Sequence, residues 1–212
     1  DADTFFGNLA SKAAQVAPAL AADAGRLSLA ATRTLDLGAT LTAAPAKGGR
    51  GSQVDIAAQA IQIAGADSTA RDGYLTLSAD GLSTLGAGSL LLGGTRQTGG
   101  DGDRVTAVAD SVVLSNDAAH PLQGAEILLV ANGGARMGAQ GVLLDSGSVL
   151  RATGPASGAG SLPLVFGAVA GTDANGQPIA AVSGDGALLR VSQNGAANIV
   201  RNSVSSHPGG AL

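Results

Sequence analysis

Aliphatic pairs recur along this chain at a spacing of seven residues. Val54/Ile56 and Ile61/Ile63 stand so in GSQVDIAAQAIQIAG, and Leu75/Leu82 and Val105/Val112 repeat the interval in YLTLSADGLSTL and DRVTAVADSVVLSN. Alternate residues of a strand face the same way, so each pair marks a strand two or three residues deep. Ala, Asp, Ser or Gly fills the gaps, where the chain must bend. Earlier, Leu27/Leu29 and Leu35/Leu37 are set eight residues apart. Short strands with small residues at their corners predict a chain coiling into a solenoid. Val54, Ile56, Ile61, Ile63, Val105, Val112, Leu114, Ile127 and Leu129 are then expected to share one continuous core.

Composition agrees with a narrow core. Hydrophobic residues make up 45% of the 212 positions but aromatics only 2%, and Trp is absent. Rows of Val, Ile, Leu and Ala fill a thin interior without large rings. Charged residues are 13%, against about a quarter in an average protein. Glu126 is the sole glutamate, so helix is expected to be minor, and Asp suits turns. A net charge of −4 gives no basic footprint for nucleic acid. With no cysteine, disulfides, thiol catalysis and thiolate metal sites are excluded. The longest apolar runs, such as Ile127–Ala131, are too short to span a bilayer. A start at Asp1, without Met or signal peptide, reads as an excised or processed piece.

Four regions follow from a pass along the chain. Residues 1–23 carry Phe5, Leu9, Ala13, Val16 and Leu20 at helical steps, predicting a short amphipathic helix near 5–16 that lies on the solenoid and stops at Pro18. Residues 24–152 hold the strand pairs, interrupted by the loops APAKGGRGS, ADSTARDG, GGTRQTGGDGD and NDAAHPLQG. Residues 153–184 read as a linker followed by a β-hairpin outside the coil, turning at Asn175-Gly176. Residues 185–212 return to the solenoid through Leu188–Val191 and Asn198–Val200.

Chemistry is harder to place. His120 and His207 each precede a proline and are far apart in sequence, and no G-x-S-x-G elbow accompanies the many serines. A polysaccharide-cleaving enzyme would need converging carboxylates, for which Asp36, Asp55, Asp72, Asp80 and Asp110 are the candidates. Asp36 and Asp55 sit between core-facing residues and are expected to point outward to solvent. Gly99-Gly100-Asp101-Gly102-Asp103 has the letters of a calcium loop, but a single copy supplies too few ligands, and a turn is the simpler reading. No catalytic residue, metal site or cofactor is assigned, and the binding residues stay unknown.

GRLSLAA, GGRGSQVDIAAQAIQIAG, LTLSADGLSTLGAGSLLLGG and GDGALLRVS resemble the repetitive stalks of filamentous haemagglutinin-like exoproteins, giant bacterial surface proteins exported by two-partner secretion. The resemblance covers most of residues 24–152 and again 184–204. It implies a right-handed parallel β-helix, here with a short N-terminal helix and an extra-helical hairpin. It also implies a secreted, surface-exposed, non-enzymatic stalk serving adhesion, biofilm cohesion or virulence. The implied partners are an outer-membrane two-partner secretion transporter and a host-cell or biofilm ligand. Separately from the resemblance, solenoid edges exposed at the two ends favour end-to-end self-association unless a helix or loop covers them. The stalk of a contact-dependent toxin is the neighbouring alternative, and a polysaccharide lyase or hydrolase the more distant one.

Overall fold

The structure, a computed structural model, describes residues 2–17, 21–38, 41–42, 44–99, 102–132, 141–154, 164–166, 171–172, 178–179, 186–193 and 199–201. The chain opens with the helix α1 (Ala2–Lys12) and continues into β1 (Arg26–Ala30), β2 (Gln53–Ala57), β3 (Ala60–Ala64) and β4 (Leu75–Ser78). A second helix, α2 (Ala79–Thr84), precedes β5 (Ser89–Leu92). Next come β6 (Gly94–Gly99), β7 (Gly102–Ala107), β8 (Ser111–Ser115), β9 (Leu122–Gly124) and β10 (Glu126–Ala131). Short strands complete it: β11 (Gly141–Leu144), β12 (Leu150–Ala152), β13 (Leu164–Phe166), β14 (Gly171–Thr172), β15 (Pro178–Ile179), β16 (Ala187–Ser192) and β17 (Ile199–Arg201).

Register explains the core. In the first sheet, ordered β1-β2-β5-β10-β16, Val54 lies beside Leu90 and Leu90 beside Ile127, while Ile56, Leu92 and Leu129 form the next row. In the second, ordered β11-β8-β3-β4, Ile61 stands between Leu75 and Val112, and Ile63 between Leu77 and Leu114. All these side chains are buried and meet in one cluster. Each full burial of an Ile or Leu contributes about 1.5–3 kcal/mol before entropy is counted. Leu29, Leu35, Leu37 and Leu41 extend the cluster at the β1 end but stay partly exposed.

Several expectations are corrected. Among the described residues the architecture is a set of five small sheets, parallel, mixed and in β14–β15 antiparallel, with two short helices, not one continuous right-handed parallel β-helix. At one margin of the first sheet β16 runs antiparallel to β10. The stretch GGTRQTGGDGD, read as a loop, supplies β6 and the start of β7, which pair antiparallel and belong to a separate mixed sheet, β17-β13-β7-β6. Thr-Arg-Gln-Thr and Asp-Arg-Val-Thr alternate around glycines, which is hairpin patterning at a scale too short to stand out. Leu82, read as a strand partner of Leu75, lies instead on α2. The Ser78 hydroxyl caps that helix by accepting from the Gly81 N–H, and Ala79 and Leu82 turn inward. Val105 is buried, but not in the main core: it joins Leu91, Leu128, Val130 and Leu188 in a second cluster on the other face of the first sheet.

The first helix also stops before Pro18. Ala14 takes a left-handed φ of +52°, the Gln15 N–H donates to Ala10 O at 2.9 Å and the Ala14 N–H to Ser11 O at 3.2 Å. That is a Schellman stop with Ala where Gly is usual. Phe5 is 61% exposed and Val16 94%, while Ala10 is buried. Gly171–Thr172 pairs antiparallel with Pro178–Ile179, and the Asn175-Gly176 turn read between them lies outside the described residues.

Candidate functional site

The polar chemistry concentrates on the outer face of the first sheet. On β2 the side chains alternate, so Val54 and Ile56 face the core while Gln53 and Asp55 face away. That outer face is roofed by the β6–β7 hairpin. The chain leaves β5 through Gly93, whose N–H donates to Ile56 O at 2.9 Å. It returns where the Val108 and Ala109 N–H groups both donate to Gly93 O at 2.8 Å. Gly93 has a φ of +90°, and a Cβ there would stand 2.1 Å from Val130 O. Only glycine allows this crossing.

Under that roof lies a continuous ion-pair network. Arg96 Nε donates to Asp55 Oδ1 at 2.7 Å, with both side chains 1% exposed. The Arg96 backbone N–H reaches Asp55 Oδ2 at 3.2 Å, and its Nη1 reaches Ser89 Oγ at 2.8 Å. Ser89 Oγ in turn donates to Glu126, whose other carboxylate oxygen receives Arg190 Nε at 2.9 Å. Alongside, Arg26 Nε donates to Gln53 Oε1 at 2.9 Å and Arg26 Nη1 to the Arg96 carbonyl at 2.8 Å, while Gln53 Nε2 donates to Asp103 at 2.8 Å. The network thus stitches β1, β2, β5, β10 and β16 to the hairpin.

Three further pairs lie nearer solvent. Arg71 Nη2 grips both oxygens of Asp145 at 2.9 and 2.8 Å. Its backbone N–H donates to Oε1 of the buried Gln62 at 2.7 Å, and Gln62 Nε2 also reaches Thr69 O, so one glutamine orders the loop after β3. Asp23 accepts from Arg50 Nε at 2.9 Å and from the Arg50 backbone N–H at 2.9 Å. Those bonds hold the Asp23 carboxyl below its ordinary value and raise Arg50. His120 Nδ1 lies 2.6 Å from Asp80 Oδ2 in the first turn of α2. The hydrogen bond to Asp80 raises the imidazole above its ordinary 6.5; slight desolvation opposes it, and the charges of Asp80, Asp117 and Asp67 add to it.

The candidate acids are accordingly dispersed. Asp55, expected at the solvent face, is buried against Arg96; Asp80 joins His120; Asp110 accepts from Gln59 Nε2 at 3.2 Å. Asp36 and Asp72 are exposed in separate loops. Asp103 is held by Gln53 and lies 3.9 Å from Arg26, whereas Asp101 and His207 fall outside the described residues. Among the described residues no group of three or more His, Asp or Glu side chains is placed to hold a metal ion. No described helix is long and apolar enough to cross a membrane. Open clefts among the described residues include one of about 320 Å³ beside Asp23, Arg26, Arg50 and Gln53, and one of about 380 Å³ beside Ser83, Gly88, Leu90, Gln123 and Thr153. The second has no ionisable group in its lining.

Arg96, Arg190 and Gln62 are the organising residues that sequence reading missed. The usable signal for Arg96 was its place inside the glycine-flanked alternating run Thr-Arg-Gln-Thr, which sets it mid-strand. Comparison with family models, with curated proteins and with solved structures finds no match in any of the three.

Proposed function

We propose that the chain is a structural and adhesive segment of a large secreted bacterial surface protein, carried out through an outer-membrane two-partner secretion transporter and meeting a host-cell or biofilm ligand. The observation behind this reading is how charge is used. Asp23–Arg50, Asp55–Arg96, Glu126–Arg190 and Arg71–Asp145 join residues 27, 41, 64 and 74 positions apart. Each is a cross-link between distant segments. A general acid and base must instead converge on one substrate and exchange protons with it. Carboxylates tied to guanidinium groups stiffen a scaffold, and the phrases shared in texture with filamentous haemagglutinin-like stalks support the same role.

Adhesion is the direct test. Beads coated with the protein should bind biofilm matrix or epithelial cells above albumin-coated beads, and soluble protein should compete. Equal binding by both kinds of bead would remove the adhesive reading. Turnover of a uronic-acid polymer that is lost in Asp72→Asn or Asp36→Asn would replace it with a polysaccharide-cleaving enzyme.

A further inference from the structure

The strand β1 ends the first sheet, paired to β2 on one side and to no described strand on the other. Its hydrogen-bonding parity follows from its two ends. The Gly25 carbonyl accepts from Gln53 N–H at 3.0 Å, and the Ala31 N–H donates to Ala57 O at 3.1 Å. In a parallel ladder the direction alternates residue by residue. Leu27 and Leu29 therefore also turn their backbone groups toward β2, and Ser28 and Ala30 turn theirs to the open edge. Ser28 and Ala30 are exposed, and Leu27 is 38% exposed although its side chain is on the core face. Edges of this kind are normally blunted by charged side chains, proline or a bulge; in Arg26–Ala30 there is no proline, and the one charge, Arg26, is folded back onto Gln53 and the Arg96 carbonyl of its own chain.

We infer that β1 pairs antiparallel with β1 of a second copy of this chain, about a two-fold axis at Ser28. The sequence RLSLA is a palindrome in its apolar pattern, L-S-L. Centring on Ser28 sets Ser28 opposite Ser28 and Ala30 opposite Arg26. These are the even-numbered positions, the parity that hydrogen-bonded antiparallel pairs require. Leu27 then faces Leu29 of the other copy in the closer, non-hydrogen-bonded pair, and the half-open end of each core is covered by the other's leucines. Charge permits it. Arg26 meets an alanine, and its guanidinium already lies 3.9 Å from Asp103 of its own chain. A register shifted by one residue would break the parity and turn each copy's leucines to the opposite face. The occupant best matched to this edge is the same edge.

The inference is independent of the adhesive reading, and its test reads only association. Sedimentation of the full chain should show a concentration-dependent monomer–dimer equilibrium. Ser28→Pro removes an outward N–H without touching the ladder to β2, where proline is tolerated on an edge strand, and should abolish the dimer while leaving circular dichroism unchanged. Ser28→Cys gives a chain that otherwise lacks cysteine its only thiol. Opposed residues of a hydrogen-bonded pair lie about 5.5 Å apart at Cα, within disulfide reach. Mild oxidation should cross-link this variant at least tenfold faster than Asp72→Cys. A wild-type chain that stays monomeric overturns the inference, as does a dimer that survives Ser28→Pro. Should Ser28→Pro fail to fold, cross-linking of Ser28→Cys decides: faster than Asp72→Cys supports the pairing, and no faster refutes it.

Discussion

Asp55 has aliphatic neighbours on both sides that face the core, and alternation alone sends its carboxylate to the opposite face. That much was legible, and both Val54 and Ile56 are fully buried. What lies over the opposite face was not, because the cover comes from Arg96, 41 residues later. Once covered, the pair obeys a different rule from surface charges. Removing one member leaves the other ionised in a dry site, at a cost of about 3–5 kcal/mol, whereas replacing both with apolar side chains of similar volume costs far less. Arg96→Met should therefore lose about 3–5 kcal/mol in urea unfolding, and Asp55→Leu combined with Arg96→Met should recover much of it. Additive losses would show that the carboxylate and guanidinium do not depend on each other. His120 gives a pH-dependent counterpart. Its folded-state pKa is raised, so its contribution is complete below the ordinary 6.5 and disappears as pH rises through the raised value. Thermal stability should accordingly fall as pH rises from the ordinary 6.5 through the raised value, by more in the wild type than in Asp80→Asn. An NMR titration should show the His120 imidazole moving down in that variant; an unmoved value would mean the contact with Asp80 is not formed in solution.

Strands with two aliphatic residues in period two were read from sequence with their facing correct, as at β2, β3 and β8. Elements whose pattern is set by packing against something distant were not. The turn Ser-Ala-Asp-Gly-Leu forms α2 because Ser78 caps it and Ala79 and Leu82 close the core, while its strand-like spacing from Leu75 is coincidental. The β6–β7 hairpin was hidden because only Val105 among its residues is a large buried aliphatic. Its placement depends on Gly93, and two glycines of positive φ separate backbone strain from steric fit. Gly86 has a φ of +63° with open space around the missing Cβ, so Gly86→Ala should cost about 1–2 kcal/mol for the left-handed backbone alone. At Gly93 the same change also drives a methyl group into Val130 O at 2.1 Å and Val112 Cγ2 at 2.7 Å. The two effects each run to about 1–3 kcal/mol, so Gly93→Ala should cost clearly more than Gly86→Ala in urea. Equal losses in the two variants would place the hairpin crossing elsewhere.

Across the whole molecule, the first sheet is the shared wall of two cores. Leu90, Leu92, Ile127 and Leu129 face the larger cluster, while Leu91, Leu128 and Val130, from the same strands, face the smaller cluster beneath the hairpin. A strand with both faces covered reads as a continuous apolar run, which is how Leu90–Leu92 and Ile127–Ala131 appear in the sequence. Such runs do not say what covers each face, and this explains why one continuous coil was expected where separate small sheets are found. The double use of β5 and β10 predicts that the two clusters unfold together, since neither keeps a wall when the other is lost. Tyr74 is the only tyrosine in a chain without tryptophan, and its hydroxyl lies 3.2 Å from Ser111 Oγ beside the larger core. Its fluorescence therefore reports that side alone. Leu114→Ala, in the larger cluster, and Leu91→Ala, in the smaller, should each destabilise by about 2–5 kcal/mol. Both should move the Tyr74 transition to lower urea, and far-UV circular dichroism should move with it. A Leu91→Ala chain whose Tyr74 transition stays at the wild-type midpoint, with an earlier step seen only by circular dichroism, would show that the hairpin and its ion-pair network fold as a separate unit laid on the sheet.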